Sequence, residues 1–307
     1  MIKNVTLVGA NGSLGSVVLR ALLESNLFRV STIRRASSRS PTVPASVQVK
    51  TASDAWTTDE LTDILKGEDA VIACFPLRDV DEHLRLADAA AQAGTVRRFI
   101  PADFGSVDAR SEMARELVGL FERKVRVRER LEVLAGESSA RNDGVEFTWT
   151  SLVNGHFFDW GLRNGFLHFY PGEKRAEILG SGEEKSSTAT LGKVAEAVVR
   201  VLERFEETRN RVLMVQSFCV SQLEVLRALE RVVGGSWKVE YVGVEEFIGR
   251  HKGLLEGGRR ESIEDLVFAL GVVDGNWEGR EDFAMGLLGL EEEDLDEEVR
   301  KALGGSE

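Results

Sequence analysis

The fold of this chain is decided by the stretch Val5-Thr6-Leu7-Val8-Gly9-Ala10-Asn11-Gly12-Ser13-Leu14-Gly15. A short apolar run precedes glycines spaced G-x-x-G-x-x-G, and apolar residues at helical spacing follow, which predicts a strand, a tight turn and a helix. Gly9 permits the turn, Gly12 lets the backbone approach a diphosphate, and Gly15 lets the helix pack closely on the sheet. The amino end of that helix offers N–H groups and partial positive charge to phosphates. The stretch therefore predicts a dinucleotide-binding unit.

Strands and helices alternate from this stretch to about residue 155. The pattern predicts further strands at 28–33, 47–49, 70–73, 98–101 and 145–152, and helices at 57–65, 80–93 and 113–134. We expect Thr57 or Thr58 to be the N-cap of the first of these helices. Strands separated by helices specify an α/β fold with a parallel, doubly wound, Rossmann-type sheet.

The pattern changes near residue 155. Short strand-like pieces and longer helical stretches replace the regular alternation, with strands predicted at 167–170, 176–179, 211–215 and 239–242 and helices at 193–203 and 222–232. The sequence therefore predicts a nucleotide-binding domain over 1–155 and a smaller mixed α/β substrate-binding domain over 156–307. Some segments are expected to cross between the two.

Composition excludes several classes of protein. The chain has 307 residues, 43% of them hydrophobic, and a formal net charge of −12, which argues against nucleic-acid binding. The chain has no run of about 18 apolar residues, so the sequence predicts no membrane span. The first strand starts too early for a signal peptide, so we expect a cytoplasmic protein. Cys74 and Cys219 are far apart, and the four histidines lack metal-ligand spacing, so no metal is expected.

The end of the second strand indicates which nicotinamide cofactor the chain prefers. An acidic residue there would accept hydrogen bonds from a ribose 2′-hydroxyl and select NAD. This chain instead has Arg34 and Arg35, with Arg39 nearby and no carboxylate until Asp54. Guanidinium groups match a 2′-phosphate in charge and geometry. The sequence therefore predicts NADP(H).

Two segments offer a candidate proton donor, and Lys124 is the better of the two. Tyr170 and Lys174 match a Tyr-x-x-x-Lys pair, but Pro171 and Gly172 between them favour a turn, which would separate the two side chains. Lys124 lies on the helix after the fifth strand, at the carboxyl edge where open α/β sheets bind ligands. A partly desolvated lysine there could donate a proton near pH 7.

The chain resembles the NmrA-like and isoflavone reductase-like branch of the atypical short-chain dehydrogenases. The resemblance rests on residues 5–15, on Arg34, on Arg98-Phe99-Ile100-Pro101-Ala102-Asp103-Phe104-Gly105, and on Phe121-Glu122-Arg123-Lys124 running into residues 128–132. It covers residues 1 to about 160 well. It implies a Rossmann fold, NADPH, and reduction of small aromatic or polyketide-like molecules. Lys124 stands where the reductases have their functional lysine.

Three departures concern the substrate. The loop after the fourth strand is the bulky Cys74-Phe75-Pro76, Asp103 replaces the glutamate of the plant reductases, and Asn154-Gly155-His156-Phe157-Phe158 is nearer the fungal pattern. The expected cofactor-binding residues are Gly9, Asn11, Gly12, Ser13, Leu14, Gly15, Arg34, Arg35, Phe75, Pro76, Asp103, Phe104, Lys124 and Asn154.

Aromatic residues predict the substrate-binding wall. Phe104, His156, Phe157, Phe158 and Trp160 suit a flat molecule with few charges. His156 is the second catalytic candidate, because a polar ring among phenylalanines could orient a substrate oxygen or share proton transfer.

The main hypothesis is therefore an NADPH-dependent reductase of a carbonyl or conjugated double bond in a secondary metabolite. Lys124 donates the proton or stabilises the oxyanion. Two alternatives remain open: an NADP(H)-binding redox sensor without catalysis, and a non-reductive enzyme using the same cleft. We expect a small-molecule partner and a monomer or homodimer.

Overall fold

The computed structural model describes residues 1–40, 43–141 and 145–304. Its strands are β1 (Asn4–Val8), β2 (Arg29–Arg35), β3 (Gln48–Ala52), β4 (Ala70–Ala73), β5 (Arg98–Ile100), β6 (Thr148–Val153), β7 (His156–Phe157), β8 (Phe169–Tyr170), β9 (Arg175–Leu179), β10 (Lys185–Ala189), β11 (Arg211–Met214), β12 (Phe218–Ser221) and β13 (Lys238–Val242). Its helices are α1 (Ser13–Glu24), α2 (Thr58–Leu65), α3 (Val80–Gln92), α4 (Glu112–Leu117), α5 (Gly119–Arg141), α6 (Phe158–Asn164), α7 (Leu191–Glu203), α8 (Gln222–Val233), α9 (Val244–Glu256), α10 (Ser262–Asp274), α11 (Met285–Leu288) and α12 (Leu295–Leu303).

The chain folds into two compact units. The first comprises Met1–Asp103, Leu120–Leu152 and Ala195–Leu213, and the second comprises Phe104–Gly119, Val153–Val194 and Met214–Glu307. One boundary between the units lies between residues 152 and 153, and the chain passes from one unit to the other at further points. The assignment of cofactor binding to one half and substrate binding to the other stays a prediction.

A seven-stranded sheet forms the centre of the first unit. Its strand order is β11-β6-β5-β4-β1-β2-β3, and the pairs among β1 to β6 are parallel. The chain builds outward in one direction through β2 and β3 and in the other through β4, β5 and β6. The order therefore reverses between β1 and β4, where doubly wound sheets bind ligands. The predicted Rossmann-type sheet is confirmed.

Buried strands and capped helices explain how the sequence specifies this unit. All four residues of β4 are fully buried, as expected for an apolar strand covered on both faces. Helix α2 begins after Thr57, whose side chain accepts a hydrogen bond from the backbone N–H of Glu60. The predicted N-cap is therefore confirmed.

Arg98 joins β5, inside the sheet, to a late segment of the chain. It is fully buried at the start of β5. Its guanidinium donates hydrogen bonds to the hydroxyls of Thr148, at 3.0 Å, and Thr208, at 2.8 Å, and to the carbonyl oxygen of Phe205 at 2.5 Å. Burial lowers the pKa of Arg98 to about 9. Neutral oxygens from two distant segments thus solvate one buried charge.

The prediction of one helix over 113–134 was wrong. The structure has α4 and then α5, separated at Val118, whose backbone is extended with φ −137° and ψ 108°. Val118 is β-branched and Gly119 is the weakest helix former after proline, so the junction lacks local helical preference. The apolar spacing continues across the break, which is why the sequence pattern did not show it.

The second unit contains two small sheets and most of the later helices. One sheet has the order β12-β10-β7 and the other β13-β9-β8. Helix α8 begins with a capping box between Ser221 and Glu224. The core of this second unit buries four phenylalanines, Phe158, Phe218, Phe247 and Phe268. Across the described ranges of both units, no helix combines the length and apolar character needed to cross a membrane.

Candidate functional site

A cavity of about 750 Å³ lies in the first unit, at the point where the strand order reverses. It is bordered by the turn after β1, by the end of β2 with the loop that follows, and by the loop after β4. These are the segments in which the sequence predicted cofactor binding. The predicted residues that line it are Gly9, Asn11, Gly12, Arg34, Arg35, Phe75 and Pro76.

The glycines of the turn fit the tasks assigned to them. Gly9 has φ +91°, and a Cβ there would lie 2.4 Å from the backbone oxygen of Cys74. A Cβ on Gly15 would lie 2.0 Å from the oxygen of Gly9, so that position closes the helix onto the turn. Gly12 is different, because its nearest neighbour would be 3.4 Å away and the residue borders the cavity. The turn thus leaves its backbone open to a ligand at Gly12.

The amino end of α1 is suited to a diphosphate. Gly12 is the N-cap and makes no side-chain hydrogen bond, and the first turn, formed by Ser13, Leu14 and Gly15, has no acidic residue. Within residues 1–40, no side chain of the N-cap residue therefore accepts a hydrogen bond from the first backbone N–H groups of α1. A bound anion would satisfy them and the helix dipole together.

The two predicted arginines have different surroundings. Arg35 pairs with Glu82, packs over the ring of Trp56 at 4.6 Å and donates to the backbone oxygen of Asp54 at 3.2 Å. Arg34 borders the same cavity, and its guanidinium has no hydrogen bond or ion pair with any residue that the structure describes. Arg34 therefore brings to the cavity a guanidinium that no described residue pairs with.

The cavity also includes residues that sequence reasoning missed. Ser37 and Ser38 follow β2, and Trp56 precedes α2. The backbone and side chain of Ser37 donate to Asp54 at 3.3 and 2.6 Å, and these bonds lower the pKa of the Asp54 carboxyl. Hydroxyls so close to Arg34 were a usable sequence signal. Trp56 gave none, because only the fold brings it to the end of β2.

A buried charge cluster surrounds the predicted catalytic lysine. Lys124 on α5 is 7% exposed, and its Nζ lies 3.7 Å from Oδ1 of Asp103, which is 4% exposed. Oδ2 of the same carboxylate accepts hydrogen bonds from Arg128 Nε at 2.5 Å and from the Ser151 hydroxyl. The structure thus brings Asp103 and Lys124 together, and it adds Arg128 and Ser151.

Burial and charge shift the pKa values of this cluster in predictable directions. Burial lowers the pKa of Lys124, Asp103 opposes that change, and Arg128 reinforces it. Burial alone would raise the pKa of Asp103, but Arg128, Lys124 and the Ser151 hydrogen bond outweigh it, and the Asp103 pKa is lowered. The arrangement therefore contains a firmly ionised carboxylate and an ammonium with a weakened hold on its proton.

His83 links this cluster to the larger cavity. Its ring stacks on Phe75 with centroids 3.8 Å apart, and its Nε2 lies 3.4 Å from the Pro76 oxygen. Burial lowers the pKa of His83 to about 4, so the ring is neutral near pH 7. His83 also borders a cavity of about 10 Å³ together with Asp103 and Lys124. Nothing in the sequence indicated this position for His83, which was considered only as a metal ligand, a role its spacing did not support.

The other predicted site residues lie in the second unit. Asn154 is fully buried, Phe158 packs edge-on against Phe218, and Trp160 packs against Phe166. Phe157 is half-buried at the start of α6, and Phe104 has φ +35°, an uncommon conformation for a phenylalanine. Their roles in cofactor or substrate binding stay predictions.

His156 is enclosed by aromatic side chains and backbone. Its ring stacks on Phe268 and meets Phe166 edge-on, and its Nε2 lies 3.3 Å from the Val267 oxygen. Burial lowers the pKa of His156 to about 4, which makes the ring neutral at pH 7. A neutral ring can orient a substrate oxygen but is a poor acid, so its catalytic role stays a prediction.

No group of three or more His, Cys, Asp or Glu side chains among the described residues has a geometry that could hold a metal ion.

Residues 1–274 match the NmrA-like family. Oxidoreductase aprR of Aspergillus flavus is 35% identical over 246 residues, which are 80% of this chain and 79% of aprR.

Two solved structures have the same fold. The leucoanthocyanidin reductase–NADPH complex of Vitis vinifera has a TM-score of 0.78 and 18% identity, covering 98% of this chain and all of that one. AtPrR2 with NADP⁺ and (+)pinoresinol has a TM-score of 0.77 and 17% identity, covering 99% of both chains.

Proposed function

This chain belongs to the NmrA-like family, and from that premise we propose that it is an NADPH-dependent reductase of a small aromatic or polyketide-like metabolite. The bond reduced is a carbonyl or a conjugated carbon–carbon double bond. The name of aprR, an oxidoreductase, and the NADP(H)-bound structures of the same fold support this assignment.

One observation carries the proposal. A single cavity of about 750 Å³ is bordered both by Gly12, the open-backbone N-cap of α1, and by Arg34, whose guanidinium pairs with no described residue. These features match the diphosphate and the 2′-phosphate of NADPH. A Cβ at Gly9 or Gly15 would overlap backbone atoms, which supports a cradle that depends on glycine at both positions.

Each part of the chain then has a defined task. The turn at Gly12 and the first turn of α1 would hold the diphosphate, and Arg34 the 2′-phosphate. Phe75, held by its stack on His83, would form part of the apolar wall. When bound, the dihydronicotinamide supplies hydride to the substrate carbon.

Lys124 would complete the reduction. As the substrate carbon gains hydride, negative charge develops on its oxygen. An N–H bond of the Lys124 ammonium breaks and an O–H bond forms on the substrate, leaving a neutral amine that solvent reprotonates. The burial that lowers the pKa of Lys124 favours this transfer.

Coenzyme binding and turnover test the proposal in two steps. Calorimetry on the purified protein should detect NADPH and NADP⁺ binding more tightly than NADH and NAD⁺. Loss of NADPH absorbance should then be followed with a panel of phenolic and polyketide ketones and enones. A redox sensor would bind both oxidation states without consuming NADPH with any compound, and absence of binding to either phosphorylated coenzyme would reject the reductase.

A further inference from the structure

The Asp103 carboxylate forms a close ion pair with Arg128 and a more distant one with Lys124. Arg128 Nε lies 2.5 Å from Oδ2, which the Ser151 hydroxyl also contacts. Lys124 Nζ lies 3.7 Å from Oδ1, beyond hydrogen-bond distance, and Oδ1 accepts no hydrogen bond from any residue that the structure describes. Arg128 therefore has the close ion pair, and Lys124 has only the more distant one.

We propose that Arg128 is a positioning residue for Lys124: by holding Oδ2 of Asp103, it keeps the carboxylate from pairing closely with the Lys124 ammonium, which stays able to give its proton to the substrate. The inference rests on the reductase function proposed above and assigns that reaction a further residue.

Charge and spacing support this role. Lys124 and Arg128 are four residues apart on α5, so they occupy the same face of the helix. Arg128 is 1% exposed and its guanidinium cannot lose its proton, so it requires a counterion. Asp103 supplies such a counterion at 2.5 Å, closer than it lies to Lys124. The three groups carry a net charge of +1 when Lys124 is protonated and zero when it is not, and burial favours the neutral sum.

The other groups that border the cavity at Lys124 are uncharged near pH 7. His83, from α3, borders the same cavity of about 10 Å³ and is neutral near pH 7, since burial lowers its pKa to about 4. The remaining side chains bordering that cavity are apolar. Phe121, one turn earlier on α5, presents its ring 5.2 Å from Nζ. Asp103 and Arg128 are the charged neighbours that shift the Lys124 pKa.

The titration of Lys124 in the free protein tests the inference without substrate or coenzyme. In protein labelled with ¹³C-lysine, the Cε resonance of Lys124 is identified by its loss in Lys124→Met. Arg128→Gln keeps a hydrogen-bond donor but removes the charge, so the Asp103 carboxylate becomes available to Lys124. We expect its titration midpoint to move upward by about one pH unit. Arg128→Lys restores the charge and should return the midpoint to near that of the wild type. An unchanged midpoint in Arg128→Gln would overturn the inference.

A second variant decides the matter if Arg128→Gln does not fold. Replacing the pair together, Asp103→Asn with Arg128→Met, leaves no unpaired buried charge and should be better tolerated. If Arg128 neutralises Asp103, losing both should leave the Lys124 midpoint close to wild type. A drop of about one unit or more would show instead that Asp103 served Lys124, and would reject the proposal.

Turnover gives the matching functional result. Once a substrate is known, Arg128→Gln should lower kcat about 10-fold near pH 7 with little change in KM, and should move the basic limb of the pH profile upward. Failure of the proposed reductase would appear as absent coenzyme binding, which the lysine titration does not measure. The two proposals can therefore fail separately.

Discussion

Arg35 is bound to Glu82, with 2.7 Å between Nη2 and Oε1, whereas its neighbour Arg34 has no ion pair with any residue described in the structure. The sequence treats the two arginines alike, as a pair at the end of the second strand. The fold distinguishes them, because Glu82 and Trp56 hold the Arg35 guanidinium at the cavity wall. Discrimination between phosphorylated and unphosphorylated coenzymes is therefore expected to depend on Arg34.

Arg34→Ala should weaken NADPH binding by about 10- to 100-fold, the value of one charge-assisted contact, and leave NADH binding nearly unchanged. Arg35→Ala should weaken both coenzymes to a similar, smaller extent, because Arg35 contributes to the wall. Arg39→Ala is the matched control, since Arg39 is exposed on the same loop. Calorimetry with both coenzymes measures the selectivity. Equal losses for NADPH and NADH in Arg34→Ala would contradict the assignment.

Glycine substitutions separate the fold from the ligand site. Gly12→Ala should retain the wild-type unfolding temperature, because its Cβ meets nothing closer than 3.4 Å, but it should lose coenzyme affinity by crowding the diphosphate. Gly15→Ala should instead unfold at a lower temperature, because its Cβ would overlap the Gly9 oxygen. Gly136→Ala on α5, exposed and clear of other described atoms, should stabilise the protein by about 0.5–1 kcal/mol. Thermal unfolding and calorimetry on all three check the pattern, and normal coenzyme binding by Gly12→Ala would refute it.

Substitutions of Lys124 and of Asp103 should change the stability of the protein in opposite directions. Lys124→Met should abolish most turnover but preserve or raise the stability of the protein. The substitution removes the excess positive charge beside the buried Asp103–Arg128 ion pair. Asp103→Asn should cost about 3–5 kcal/mol, because it removes the carboxylate that forms the close ion pair with the buried Arg128 guanidinium. Denaturant unfolding and coenzyme binding measure both effects. Retained turnover in Lys124→Met would remove that residue from the reaction.

Acid should destabilise the protein through its neutral buried histidines. The folded pKa of His83 is about 4, below the ordinary value of 6.5, so the unfolded chain binds the proton more tightly. The stabilisation is complete above pH 6.5 and is lost as the pH falls toward 4. His83 alone should account for about 2 kcal/mol between pH 6.5 and 5. His83→Phe keeps the ring stack on Phe75 and should flatten that part of the stability profile. An identical slope in the variant would contradict this account.

Local pattern was sufficient for most elements of the first unit and for the glycine turn. The apolar run at residues 70–73 and the threonine before α2 are signals within a few residues, and the structure has both as expected. The break at Val118 was missed because apolar spacing continues through it. Sequence periodicity reports which face is buried, and it does not report where the backbone leaves the helix.

The candidate site was predictable where neighbouring strands of the sheet supply it. Gly9 and Gly12 follow β1, and Arg34 lies near the end of the adjacent β2, so their grouping follows from the fold class. The cluster around Lys124 joins α5 to the loop after β5 and to Ser151 on β6. The spacing of Lys124 and Arg128 put both on one helix face, but no local pattern indicates that a carboxylate from another segment lies between them.

Arg98 also constrains how the protein is made. Its hydrogen-bond acceptors include Phe205 and Thr208, which the ribosome adds more than a hundred residues after it. Until they emerge, the nascent chain must leave this guanidinium in water, and β11 is not yet available to complete the sheet. A fragment ending at residue 155 would expose the same unmet charge. We therefore expect the first unit to mature late during translation, because it depends on residues 195–213, which are made after most of it.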